Sequence, residues 1–146
     1  MSQNMTFEVT GEATKMTTEL QAKNHTLVID EPANMGGDDK GADPLSTLLA
    51  SLAGCENVIA NMVAKDIDFN LEGIDFQVSG ELDPRGLMGQ ADVDPYFQQV
   101  TIKATVKTDE SDERIQELKE KTDARCPVFT TFQAAGIPID AEWTKA

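Results

Sequence analysis

Three side chains carry chemistry worth following in this sequence: the thiols of Cys55 and Cys126, and the carboxyl of Glu56. A thiolate is a nucleophile, and two thiols that meet can pass through a sulfenic acid to a disulfide. Its strength is set by the surroundings, because a nearby cation or a helix N-terminus lowers the thiol pKa. Cys126 stands directly before Pro127. If that proline opens a helix, Cys126 is its N-cap, with free backbone N–H groups aimed at the sulfur and Arg125 adjacent, a setting that favours the thiolate. Cys55 falls in mid-helix, so its activation requires a cation from elsewhere. Only Arg85, Arg114 and Arg125 are arginines. Arg85, on a loop flanked by Gly86 and Gly89, is the one placed to reach into a cleft. The plain alternatives are two small cysteines chosen for packing and an arginine that holds a turn.

Glu56 lies near the middle of an apolar helical stripe. A lone carboxylate there is costly to desolvate unless it is paired or protonated. Either the stripe faces a subunit boundary or wet cleft at that level, or Glu56 is a functional acid beside the thiol. His25 is the sole histidine; it begins a strand and reads as a surface residue, with a Cys–His arrangement left open. Asp38-Asp39 has no spaced set of oxygen ligands beside it, and two distant cysteines with one histidine fall short of a zinc set. No metal is expected. The chain also lacks a Gly-rich phosphate loop and a G-x-S-x-G motif.

The elements that position these groups follow from periodicity. Residues 5–30 predict a meander of two or three strands, with Phe7 and Val9 on one face, a turn at Gly11-Glu12, and a compact strand over 26–30. Residues 31–42 are a loop, by Pro32, Asn34, Gly36-Gly37 and Gly41. A central helix spans 43–65, capped by Asp43 and opened by Pro44. Leu45, Leu48, Leu49, Leu52, Ile59, Met62 and Val63 form its apolar stripe, while Ala50, Ala53, Gly54 and Ala60 keep other faces small, so this helix is expected to pack on more than one side. A sheet follows over 67–108, with strands at 67–80 and 96–108 pairing antiparallel across the Arg85 loop. Two helices fill 111–135, broken at Pro127 and closed by Gly136, and a last strand covers 138–143.

The 146 residues are ample for one domain and marginal for two, so a single α+β domain over 1–146 is expected. A net charge of −14, from 12 basic and 26 acidic residues, argues against nucleic acid, whose phosphates require clustered Lys and Arg. The same charge repels an anionic substrate and suits a neutral one. No apolar run approaches the roughly 20 residues of a membrane helix. The first residues lack a basic segment followed by an apolar one, so the expected compartment is the cytoplasm, where two cysteines are more often reduced than bridged.

At this point a resemblance comes into view. Asp30-Glu31-Pro32, Gly36-Gly37, Gly41, Asp43-Pro44 and the run Leu48-Leu49-Ala50-Ser51-Leu52-Ala53-Gly54-Cys55 look like the OsmC/Ohr family. Cys126-Pro127-Val128 is similar to that family's second cysteine motif, and Asp83-Pro84-Arg85-Gly86 with Gly89 to a loop of its OsmC-like members. The resemblance implies an α+β fold with antiparallel sheets around a long central helix, assembled as an intertwined homodimer. It implies a thiol peroxidase that reduces organic hydroperoxides: Cys55 peroxidatic, Cys126 resolving, a dithiol such as dihydrolipoamide as reductant, and no metal or organic cofactor. The chain departs from the pattern at the activating pair. Leu45 occupies the family's glutamate position, and no arginine precedes Arg85, leaving Lys15, Lys23 and Lys40 as the cations ahead of it. Glu56 and Arg85 are the candidates to replace that pair. If nothing does, the expectation shifts to a dimeric protein that binds an apolar small molecule, or to a redox sensor that forms the Cys55–Cys126 disulfide without turnover.

Overall fold

The N-terminal strands turn on lysines rather than glycines. In the computed structural model, which describes residues 3–146, β1 (Thr10–Thr14), β2 (Thr17–Ala22) and β3 (His25–Ile29) form an antiparallel sheet in chain order. Lys15 and Lys23 open the two tight turns with φ of 55° and 57°, a left-handed conformation that carries a steric cost for any side chain with a Cβ. The turn expected at Gly11-Glu12 is therefore absent: both residues lie inside β1, opposite Leu20 and Glu19. Phe7 and Val9 precede the sheet and are exposed. His25 is exposed at the start of β3, as expected.

The loop after β3 is organised by Asp30, which is 1% exposed. Its carboxylate accepts from Thr17 Oγ1 (2.8 Å), Glu31 N–H (2.8 Å) and Lys40 N–H (3.2 Å). Burial pushes this carboxyl up, but the donors together outweigh it and hold the pKa below its usual value. The chain is drawn so close that a Cβ on Gly41 would lie 2.1 Å from the Val28 carbonyl oxygen, and one on Gly37 would lie 1.9 Å from that of Glu31. Glycine is required there by the approach of backbone to backbone.

Cα proximity divides the chain into two compact units, one ending at Leu48 and one covering Leu49–Ala146. Helix α1 (Pro44–Asp66) starts in the first and continues through the second. Asp43 caps it as expected, its Oδ2 accepting from Ser46 N–H at 2.9 Å. The buried face is Leu52, Glu56, Ala60, Val63 and Ala64. Leu45, Leu48 and Met62, which the sequence groups on the buried stripe, are exposed instead, along with Val58. Leu49 and Ile59 pack partly against this face, so the expected stripe is buried along one edge and exposed along the other. At 23 residues, α1 is long and apolar enough to cross a membrane by length and composition alone, contrary to expectation. From Leu49 on it packs against the sheet and helices of its own unit and buries the carboxyl of Glu56.

In the second unit, β4 (Gly73–Glu81) pairs antiparallel with β5 (Gln99–Lys107), and β5 pairs parallel with β6 (Ile139–Lys145), giving the order β4-β5-β6. The strand expected from residue 67 starts six residues later. Ile67 and Phe69 donate back to Val63 and Ala64 carbonyls and close α1. Their apolar side chains, with Leu71, pack on the core without a pleat. The intervening loop holds the short α2 (Pro84–Leu87), capped by Asp83. Then follow α3 (Asp112–Arg125), capped by Ser111, and α4 (Pro127–Ala134), capped by Cys126. One cluster of the core joins α1, β5, α3 and Trp143, whose ring meets Phe76 edge-on at 6.2 Å. The other joins α1, β5 and α4, and contains both cysteines.

Candidate thiol site

The break between α3 and α4 is what places the second thiol. Pro127 lacks an N–H and cannot continue α3, so the chain leaves the helix at Cys126 in an extended conformation and starts again at once. Cys126 thereby closes one helix and caps the next, and Phe129 N–H donates to its Sγ at 3.4 Å. The N-cap geometry expected from Cys126-Pro127 is present. Its expected consequence is not. Cys126 is fully buried, and burial, the contact with the Cys55 thiol and the neighbouring Glu56 push its pKa well above that of a free thiol, outweighing the Phe129 N–H. Arg125 does not compensate, because its guanidinium is bonded to Asp66 at 2.8 Å, holding the end of α3 to the end of α1.

Cys55 reaches the same place from α1. It is half-buried, packs against the cluster that includes Leu52, Phe129 and Cys126, and is within hydrogen-bonding reach of the Cys126 thiol. Both cysteines are free thiols. One position on, Glu56 is completely buried, and neither of its carboxyl oxygens meets a hydrogen-bond donor. Its neighbours are Asp123, Cys126 and Lys119. Desolvation first, then the contact with Asp123 and that residue's charge, push Glu56 up to about 9, against which the Cys126 and Lys119 contributions are smaller. At neutral pH it is a carboxylic acid. It faces neither a wet cleft nor an arginine.

The sequence singles out neither Asp123 nor Lys119 among the many charged residues of α3. Helical spacing offers the missing signal. Positions 119, 123 and 126 lie three and four residues apart and therefore share the face that ends in the cysteine. Lys119 Nζ donates to Asp123 Oδ2 at 3.1 Å, and both side chains are largely covered. Asp123 Oδ1 is buried and meets no donor, as is Thr122 Oγ1.

The other candidates lie apart from this cluster. Arg85 is bonded to Asp83 in its own loop, at 2.5 Å and 3.0 Å, with its side chain 57% exposed, and this pair holds the Asp83 carboxyl down at about 2. Arg114 bonds Glu110, Glu117 and the Ile67 and Asp68 carbonyls, and lies over the Phe69 ring. Every arginine thus has an acidic partner away from the cysteines. Among the described residues no group of three or more His, Cys, Asp or Glu is arranged to hold a metal.

Comparison with known proteins bears on the family and the fold. A family model described as OsmC-like protein matches residues 37–142. No curated protein sequence matches the chain. Among solved structures, an OsmC-like protein from Mycoplasma pneumoniae superposes with a TM-score of 0.85 at 20% identity, covering 99% of both chains. One from Legionella pneumophila, described as an organic hydroperoxide resistance protein OsmC, gives 0.71 at 18% identity over 99% of both. The organic hydroperoxide resistance protein OhrB of Bacillus subtilis gives 0.64 at 21% identity, over 97% of this chain and 98% of that one. At such identities the likeness is one of fold, and it is the α+β fold that the two cysteine motifs suggest. Since the family model spans most of the sequence, from the loop after β3 to β6, the chain belongs to the OsmC-like family.

Proposed function

We propose that this protein is a thiol-dependent peroxidase that reduces organic hydroperoxides through Cys55 and Cys126. The observation that carries the reading is the meeting of the two thiols in one core cluster, one half-buried and one fully buried. The half-buried Cys55 is the thiol a substrate can approach, which supports it as the peroxidatic residue. Its thiolate attacks one peroxide oxygen, the O–O bond breaks, the alcohol leaves with a proton, and Cys55 becomes a sulfenic acid. Cys126 then displaces water to form the disulfide, and an external dithiol takes over the disulfide in two exchange steps. Dimedone trapping tests the assignment. Cys126→Ser is expected to stop at a dimedone-reactive Cys55 after addition of tert-butyl hydroperoxide, and Cys55→Ser to consume none. Turnover by Cys55→Ser would refute it.

The proposal includes a homodimer, supported by the apolar Val58 and Met62 left exposed one turn apart on α1, and the cytoplasm as the compartment, where a catalytic disulfide that forms and is reduced again is the usual kind. No thiol role is assigned to Arg85, which is bonded to Asp83. The placement of all three arginines, with Leu45 exposed on the first turn of α1, favours a second reading: a dimeric redox sensor or binder of an apolar small molecule. A sensor forms the disulfide once without turnover, and a binder loses no thiol.

A further inference from the structure

Glu56 and Asp123 pose a question that the two thiols alone do not answer. Both Glu56 oxygens and Asp123 Oδ1 are buried and none meets an N–H or hydroxyl donor, although the two carboxyls are close to one another and Glu56 is also close to the Cys126 thiol. Two ionised carboxylates in that position would repel with nothing between them. One proton placed between them satisfies both, as in any pair of carboxyls sharing a site. The charges around the pair decide which carboxyl keeps it. Lys119 is bonded to Asp123 Oδ2 at 3.1 Å, so the one cation of the cluster sits on the Asp123 side of the pair. Glu56 is wholly buried on the apolar face of α1 and takes the proton. On the other side, Glu56 meets the Cys126 thiol, which in turn meets Cys55.

The resolving step needs what this arrangement offers. Cys126 must lose a proton to attack the sulfenic sulfur of Cys55, and the sulfenic oxygen must gain one to leave as water. Burial makes Cys126 a poor acid on its own, and hydroxide is a poor leaving group. We propose that Glu56, kept neutral by Asp123, is the proton shuttle of disulfide formation: its proton turns from Asp123 to the departing oxygen of the Cys55 sulfenic acid while its other oxygen takes the proton of Cys126. The S–S bond forms as the S–O bond breaks. Water leaves, and Glu56 ends as it began, a carboxylic acid. No charge need be created in the buried cluster at any stage. Asp123 is a positioning residue: it fixes the protonation of Glu56 and does not touch the reacting sulfurs.

This inference rests on the peroxidase reading, so its test separates the two steps. Quenched-flow mass spectrometry with tert-butyl hydroperoxide gives the rate of sulfenic acid formation and the rate of disulfide formation. Glu56→Gln, close to isosteric, is expected to lower the ratio of the second rate to the first by about 100-fold, the low end of general acid–base contributions. In the wild type the second rate is expected to fall as pH rises past about 9, where Glu56 loses its proton. Asp123→Asn is expected to move that fall to lower pH, a shift that a merely structural role would not produce. Disulfide formation in Glu56→Gln at the wild-type rate, or a pH profile unmoved by Asp123→Asn, would overturn the shuttle while leaving the peroxidase intact. A wild type that forms no sulfenic acid would overturn the peroxidase reading itself and the shuttle with it.

Discussion

At the scale of single residues, the buried acid dominates. Glu56 titrates at about 9 in the folded chain against an ordinary 4.5. The folded state therefore binds more protons than the unfolded chain between those values. Its contribution to stability is complete below pH 4.5 and is lost as pH rises towards 9. A group fully protonated in one state and ionised in the other gives a slope of about 1.4 kcal/mol per pH unit. Wild-type stability in urea is thus expected to decline from pH 5 to pH 8.5 with a component that Glu56→Gln removes. Equal slopes for the two proteins would show Glu56 ionised when folded, against the buried, donor-free position of its carboxyl. The position of Glu56 on a helical stripe was legible in the sequence, because spacing from Leu49 and Val63 is a local property. Its partner was not. Asp123 is on another helix, and nothing in α3 distinguishes a covered aspartate from the solvated acids around it until Lys119 and Cys126 are seen on the same face.

At the scale of elements, the α3–α4 junction gives Cys126 two separable duties. Its sulfur caps α4 through Phe129 N–H, and its thiol is the proposed resolving group. Cys126→Ser keeps a side-chain acceptor at the cap, whereas Cys126→Ala removes it. Thermal or urea unfolding is expected to show Cys126→Ala less stable than Cys126→Ser by about 1 kcal/mol, with neither able to form the disulfide. Equal stability would mean that the sulfur contact does not hold the helix start. Pro127 and Asp43-Pro44 made these helix boundaries legible, since both are written in local backbone chemistry. The N-terminal turns were misplaced for the opposite reason. Lys15 and Lys23 adopt left-handed conformations that no turn propensity assigns to lysine, and Gly11, the natural candidate, sits within a strand. The apolar run at 67–71 misled in a related way. Alternation there marks side chains anchored on the core at the end of a helix, where the backbone makes no pleat.

At the scale of the whole molecule, α1 carries more apolar surface than the chain itself covers. The sequence groups Leu45 and Met62 with Leu52 and Val63 on one stripe, whereas the structure buries only the second pair. A second copy is the occupant the resemblance implies. Light scattering after gel filtration is expected to give twice the 15.9 kDa of one chain, and Val58→Asp with Met62→Asp to return the monomer mass. A wild type that runs as a monomer at micromolar concentration would remove the dimer from the account. A peroxidase, a sensor and a binder can all share this fold and this helix, so the central claim is decided by thiol chemistry. The most direct measurement mixes the reduced protein with one equivalent of tert-butyl hydroperoxide and counts free thiols, before and after dihydrolipoamide is added with further peroxide. A two-thiol peroxidase loses both thiols to a Cys55–Cys126 disulfide, recovers them with the dithiol, and continues to consume peroxide over many equivalents. Two thiols still free after the first equivalent would contradict that claim.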